Sequence, residues 1–160
     1  MTRFILIAFL FVAGCNSTDS SNDVSVTGAK DTAIDDTYIA TTPAALSGCY
    51  GWVVNNDSAS MKISVEGNTI EGTLAYNWSE KDRNAGTLQG EVKDSLIIAN
   101  YTFNSEGMSS VRQVVFKIQG DSLSEGFGDI DTSGDTTKFK NIAGLQFQND
   151  RSFKTINCNQ

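Results

Sequence analysis

From residue 48 onward, apolar and polar positions alternate with a period of two, and Gly, Asn and Asp interrupt the alternation at short intervals. Residues two apart share a face of an extended chain, so this pattern predicts strands with one buried and one wet face. Strands are expected at 49–54, 60–66, 69–78, 86–92, 95–104, 109–119, 122–129 and 152–158, with a fainter piece at 138–147. The intervening turns test each other through register. A turn at Gly67-Asn68 sets Val65 opposite Ile70, Ile63 opposite Gly72 and Met61 opposite Leu74. One at Lys93-Asp94 sets Gly90 opposite Ile97 and Leu88 opposite Ala99. Centring the next on Glu106-Gly107 pairs Ala99 with Val114 and Ile97 with Phe116, and Gly120-Asp121 then pairs Phe116 with Glu125 and Val114 with Phe127. A slip of one residue would invert a strand, yet a single apolar face runs through all four hairpins. Eight or nine antiparallel strands of this kind predict an all-β fold, a small up-and-down barrel, with a flattened sandwich as the competing packing.

The N-terminal residues follow another pattern. Arg3 precedes an unbroken apolar or small run from Phe4 to Ala13, too short for the roughly twenty residues that span a bilayer and of the length of a signal-peptide core. The run ends Val12-Ala13-Gly14-Cys15, which resembles the lipobox of bacterial lipoproteins. That resemblance implies a signal peptide at 1–14, removal of it before Cys15, and acylation of the Cys15 thiol. The chain would then be held to a membrane of the bacterial cell envelope, the outer membrane, by its acyl chains. The alternative is an ordinary secreted protein in which Cys15 is incidental.

Residues 15–46 form the lipidated cysteine and a tether. Positions 16–46 are rich in Ser, Thr, Asp and Ala, with five Asp, one Lys and a single aromatic residue, Tyr38. Such a segment buries too little apolar surface to offset its ordering and is expected to be disordered. Within it, Asp31-Thr32-Ala33 resembles the acceptor triplet for O-linked glycans in Bacteroidota. The folded domain is expected at 47–160.

Composition narrows the chemistry. The chain of 160 residues has no histidine, which removes Ser-His-Asp triads, Cys-His pairs and His-bearing zinc sites. Its net charge of −7 leaves no basic stripe for phosphates, so no nucleic-acid partner is expected. With Cys15 acylated, Cys49 and Cys158 remain, one at each end of the domain. An exported chain passes an oxidising compartment, so these two are expected to pair, the alternative being two buried thiols. Gly48-Cys49-Tyr50-Gly51-Trp52 resembles the Gly-x-aromatic opening of lipocalin-like barrels. The run from 48 to 128 resembles small uncharacterised lipoproteins of Bacteroidota, through Glu80-Lys81-Asp82, Asn84-Ala85-Gly86, Tyr101-Thr102-Phe103 and Ser105-Glu106-Gly107. A copper-responsive barrel of that kind would carry Cys-x-x-Cys, whereas Cys49 stands alone.

The hairpins separate a tight end (turns at 67–68, 93–94 and 120–121) from an open one, with longer loops at 55–59, 79–85, 104–108 and 130–137. Tyr76, Trp78, Tyr101, Arg112 and Asp129 face inward near the open end, and Glu125 lies between Leu123 and Phe127. Tyr101, Arg112 and Asp129 are expected in one cross-strand row. A guanidinium on an apolar face needs a carboxylate, which Asp129 or Glu125 would supply. This constellation reads either as a mouth that packs a ligand and orients its anion or as a structural plug. The charges of 79–85 read as a solvated loop. Asp129 to Asp135 has the oxygen spacing of a calcium loop, but Lys140 stands where the bidentate carboxylate belongs, so an acidic turn without a metal is expected. No cofactor is implied. The function that fits is a non-enzymatic, lipid-anchored barrel binding a small ligand or an envelope partner. The alternatives are an envelope hydrolase using inward or loop carboxylates and a purely structural or assembly factor.

Overall fold

The computed structural model describes residues 43–79, 83–105 and 107–159. The apolar leader, Cys15, the tether before residue 43, Glu80, Lys81, Asp82 and Glu106 lie outside them.

The domain is an all-β closed barrel of eight antiparallel strands. Seven follow in order: β1 (Gly48–Val54), β2 (Asp57–Glu66), β3 (Thr69–Asn77), β4 (Asn84–Lys93), β5 (Leu96–Ser105), β6 (Met108–Gln119) and β7 (Ser122–Phe127). Three short strands follow, β8 (Ile130–Ser133), β9 (Thr136–Phe139) and β10 (Gln146–Phe147), before β11 (Phe153–Ile156) closes the barrel. β11 pairs with β7 through Phe153–Leu123 and with β1 through Cys49–Ile156, so the sheet has no open seam at the chain ends. The Cys49–Cys158 disulfide locks that seam, with the two Cα atoms 5.2 Å apart.

The expected registers of β2–β3 and β5–β6 are present pair for pair, as is Phe116 opposite Glu125. The β4–β5 hairpin differs. Its turn is Asp94-Ser95, with Lys93 opposite Leu96, so Gly90 faces Ala99 and Leu88 faces Tyr101. Asp94 takes a φ of +54°, the left-handed conformation that a two-residue hairpin turn demands and that Asp tolerates. The offset preserves parity, so every side chain keeps its expected face.

That face makes one core. Ile70, Leu74, Ile97, Phe116 and Phe153 are fully buried, with Phe116 and Phe153 edge to face at 5.5 Å. Leu46, which composition assigns to the tether, is also buried in this core. It ends a short 3₁₀ turn (Pro43–Leu46) whose last carbonyl accepts the Tyr50 hydroxyl at 2.9 Å. Ser47 Oγ accepts the Val65 amide, which fixes this turn beside the Gly67-Asn68 end of the barrel. At Gly90 the neighbouring strand comes so close that a Cβ would run into the Ile98 carbonyl oxygen and Ala99, so this inward position admits only glycine.

Beyond Glu125 the wall departs from the expected pattern. β7 leaves β6 there, and the outer part of β6 pairs instead with β9, in parallel, through Val111–Thr136 and Arg112–Thr137. Two glycines permit the divergence. A Cβ on Gly126 would press on Phe147 and Leu145, and one on Gly128 would strike Leu145. The segment carrying Leu145 and Phe147 packs there as β10 joins Gly126 and Phe127 of β7. Residues 129–135, with calcium-loop spacing, form part of the β8–β9 hairpin, turning at Gly134-Asp135.

Candidate functional site

At the end of the barrel opposite the Gly67-Asn68, Asp94-Ser95 and Gly120-Asp121 turns, the interior opens into a cavity of about 270 Å³. Of the longer loops expected there, one is a tight turn at Asn55-Asn56, and in another Ser105 of β5 already pairs with Met108 of β6. The mouth is formed instead by Trp78 just beyond β3, the divergence of β7 from β6, and the stretch between β10 and β11.

Six strands deliver side chains to this space. β1 brings Trp52, β3 brings Tyr76, with Trp78 just beyond it, and β4 brings Asn84. Tyr101 and Phe103 come from β5, Arg112 and Val114 from β6, and Glu125 and Phe127 from β7. Gln148 and Arg151 enter from the stretch before β11. The aromatic rings form a continuous wall. Trp78 lies 5.7 Å from Trp52 and stacks on Tyr76 at 5.8 Å, Tyr76 meets Tyr101 edge-on at 6.1 Å, and Tyr101 stacks on Phe103 at 4.8 Å. Arg151 sits over Trp78 and Trp52, 5.2 and 5.6 Å from their centroids, a cation–π arrangement that holds the guanidinium at the rim.

Glu125 is the carboxylate of this wall among the described residues. Its Oε1 accepts the Tyr76 hydroxyl at 2.8 Å. Burial pushes the Glu125 carboxyl above the usual carboxylate range, while the Tyr76 hydrogen bond and the Arg112 charge pull it back. Tyr76 is pushed well above the usual phenol range by burial and then by Glu125. Tyr101 is pushed up to about 12, again by burial and then by Glu125. All three groups are therefore held in their neutral forms more firmly than in water.

Among the described residues, three buried side-chain polar atoms have no hydrogen-bond partner: Trp52 Nε1, Tyr101 Oη and Arg151 Nε. All three belong to residues lining this one cavity. Each is an N–H or O–H donor, and a buried donor left unpaired costs about 1–3 kcal/mol.

The expected residues Tyr76, Trp78, Tyr101, Arg112 and Glu125 thus meet, while Asp129 does not join them. Arg112 has Tyr101 across from it on β5, as expected, but Thr137 of β9 on its other side. Asp129 is exposed, beyond the point where β7 leaves β6, and its carbonyl accepts the Lys140 amide. Arg112 is itself exposed at the rim, so the expected buried Arg112–Asp129 plug is not formed. Sequence reasoning passed over Trp52, although it shares the parity of Tyr50 and stands near the open end of β1. Arg151 had no comparable signal, because its stretch before β11 carries no periodicity. Comparison of the chain with family models, curated proteins and solved structures found no match.

Proposed function

We propose that this is a lipid-anchored protein of the bacterial envelope whose barrel binds a small ligand at its mouth without transforming it. One observation carries the binding part: every buried side-chain nitrogen or oxygen without a protein partner, among the described residues, belongs to a residue lining a single cavity walled by aromatic rings. A packed core pairs its polar groups, so their concentration in one place marks a surface built to be completed by another molecule. At about 270 Å³ the space falls just under the range typical of drug-sized ligands, which suits a compact molecule. The anchoring part rests on the apolar run ending at Cys15.

Hydrolysis through paired carboxylates finds less support. Such chemistry needs two carboxyl groups flanking the scissile bond, and the described wall brings Glu125 alone. A purely structural role would be served by an interior filled throughout, whereas here the edge of the apolar core, at Trp52, Tyr101 and Val114, lines a cavity. Native mass spectrometry of the full chain, extracted from envelopes in mild detergent, tests the proposal. The expected spectrum shows a small-molecule adduct that Trp52→Ala reduces. A spectrum of the unliganded protein only, at every extraction condition, contradicts it.

A further inference from the structure

Resting on the ligand-binding reading above, we infer that the ligand is a compact organic anion, about one ring in size, whose acid group is taken by Arg112 and Arg151 and whose body packs on the aromatic wall. The polar complement of the cavity is strongly one-sided. Trp52 Nε1 and Arg151 Nε are donors with no acceptor capacity, and the Tyr101 hydroxyl is a third group with its donor free. A molecule rich in acceptors matches such a set, and one rich in donors does not. The wall's described carboxylate, Glu125, already accepts the Tyr76 hydroxyl. Asn84 and Gln148 offer donors and acceptors alike and favour neither kind of ligand.

The charge distribution points the same way. The chain carries −7 overall and has four arginines, yet two of them line this cavity, against one carboxylate among the described residues. Guanidinium groups are the side chains best shaped for carboxylate, sulfonate or phosphate oxygens, through paired N–H donors. Arg151 is placed for this by its packing on Trp52 and Trp78, which fixes the planar group and lowers the entropy lost on binding. Aromatic faces around the acid group then select a flat apolar body over a bare inorganic anion. Size points to a compact body: about 270 Å³ is room for one substituted ring inside the mouth.

The test compares three probes of one shape and different charge, benzoate, benzamide and benzylamine, against the full chain by tryptophan fluorescence. Benzoate is expected to bind at least tenfold more tightly than benzamide, and benzylamine more weakly still. Arg112→Gln, at an exposed rim position, is expected to weaken benzoate about tenfold and to leave benzamide within about twofold. Arg151→Gln supplies the same comparison independently, and sulfate is expected to compete poorly with benzoate. Equal binding of benzoate and benzamide, or preferential binding of benzylamine, overturns the anionic assignment while a co-purified adduct in the native mass spectrum still supports ligand binding. Silence from all three probes also overturns the inference, and the native mass spectrum alone then decides the broader reading.

Discussion

Glu125 is a carboxylate on the apolar face of a barrel, held by Tyr76 and by the field of Arg112. Because its folded value is raised, the folded protein holds this proton more tightly than the unfolded chain does. Its contribution to stability is therefore present below the ordinary carboxylate value, about 4.3, and is lost as pH rises through the folded value. Glu125→Gln keeps an acceptor for Tyr76 and removes the titration. Relative to the unaltered protein it should gain stability near pH 8 and not near pH 4, read as the difference in urea midpoints. An equal difference at both values would show that Glu125 is not disfavoured as a charge. Deeper in, Phe116→Ala should cost about 3–5 kcal/mol by urea unfolding, since the ring is fully buried against Phe153; a loss below about 1 kcal/mol would mean that the contact contributes little. The facing of Tyr76, Trp78, Tyr101, Arg112 and Glu125 was legible because parity survives any even shift of register. The place of Asp129 was not, because it required β7 to stay beside β6.

Among the strands, register was legible at three turns that contain glycine, at Gly67, Gly107 and Gly120, which all take positive φ, but not at Gly134, where the flanking strands are too short to show alternation. The β4–β5 turn has no glycine, and the choice between Lys93-Asp94 and Asp94-Ser95 rests on which side of Asp94 the strand ends. The parallel pairing of β6 with β9 was beyond a reading built on successive hairpins, since it joins strands far apart in the chain. At the other seam, the Cys49–Cys158 bond ties β1 to the residues just after β11 across a sequence separation of 109. Loop-closure entropy at that length assigns the link roughly 4–5 kcal/mol, so Cys158→Ser should lose about that much in denaturant unfolding. A loss under about 1 kcal/mol would mean that the strand pairing of β11 alone closes the barrel. Gly90→Ala should also destabilise, by about 1–3 kcal/mol, because the added carbon must displace the β5 backbone; an unchanged midpoint would show that β4 and β5 separate freely there.

An acidic barrel with a donor-lined, arginine-bearing mouth would meet its ligands in the envelope, where an acylated Cys15 would keep it. Cys15→Ala should abolish labelling by a palmitate analogue and release the protein from membranes, whereas undiminished labelling would remove the anchor from the account. Ligand binding itself has a built-in reporter. The chain has two tryptophans, Trp52 and Trp78, and both line the cavity. Their two indole N–H resonances therefore report on the mouth alone, and that of Trp52 has no protein acceptor. In a ¹⁵N–¹H spectrum of the full chain titrated with benzoate, both indole signals should move in a saturable manner, Trp52 downfield as it gains an acceptor. Amides of the Gly67-Asn68 and Gly120-Asp121 turns should stay in place. Indole signals that remain fixed while signals elsewhere saturate would place binding outside the cavity and contradict the account.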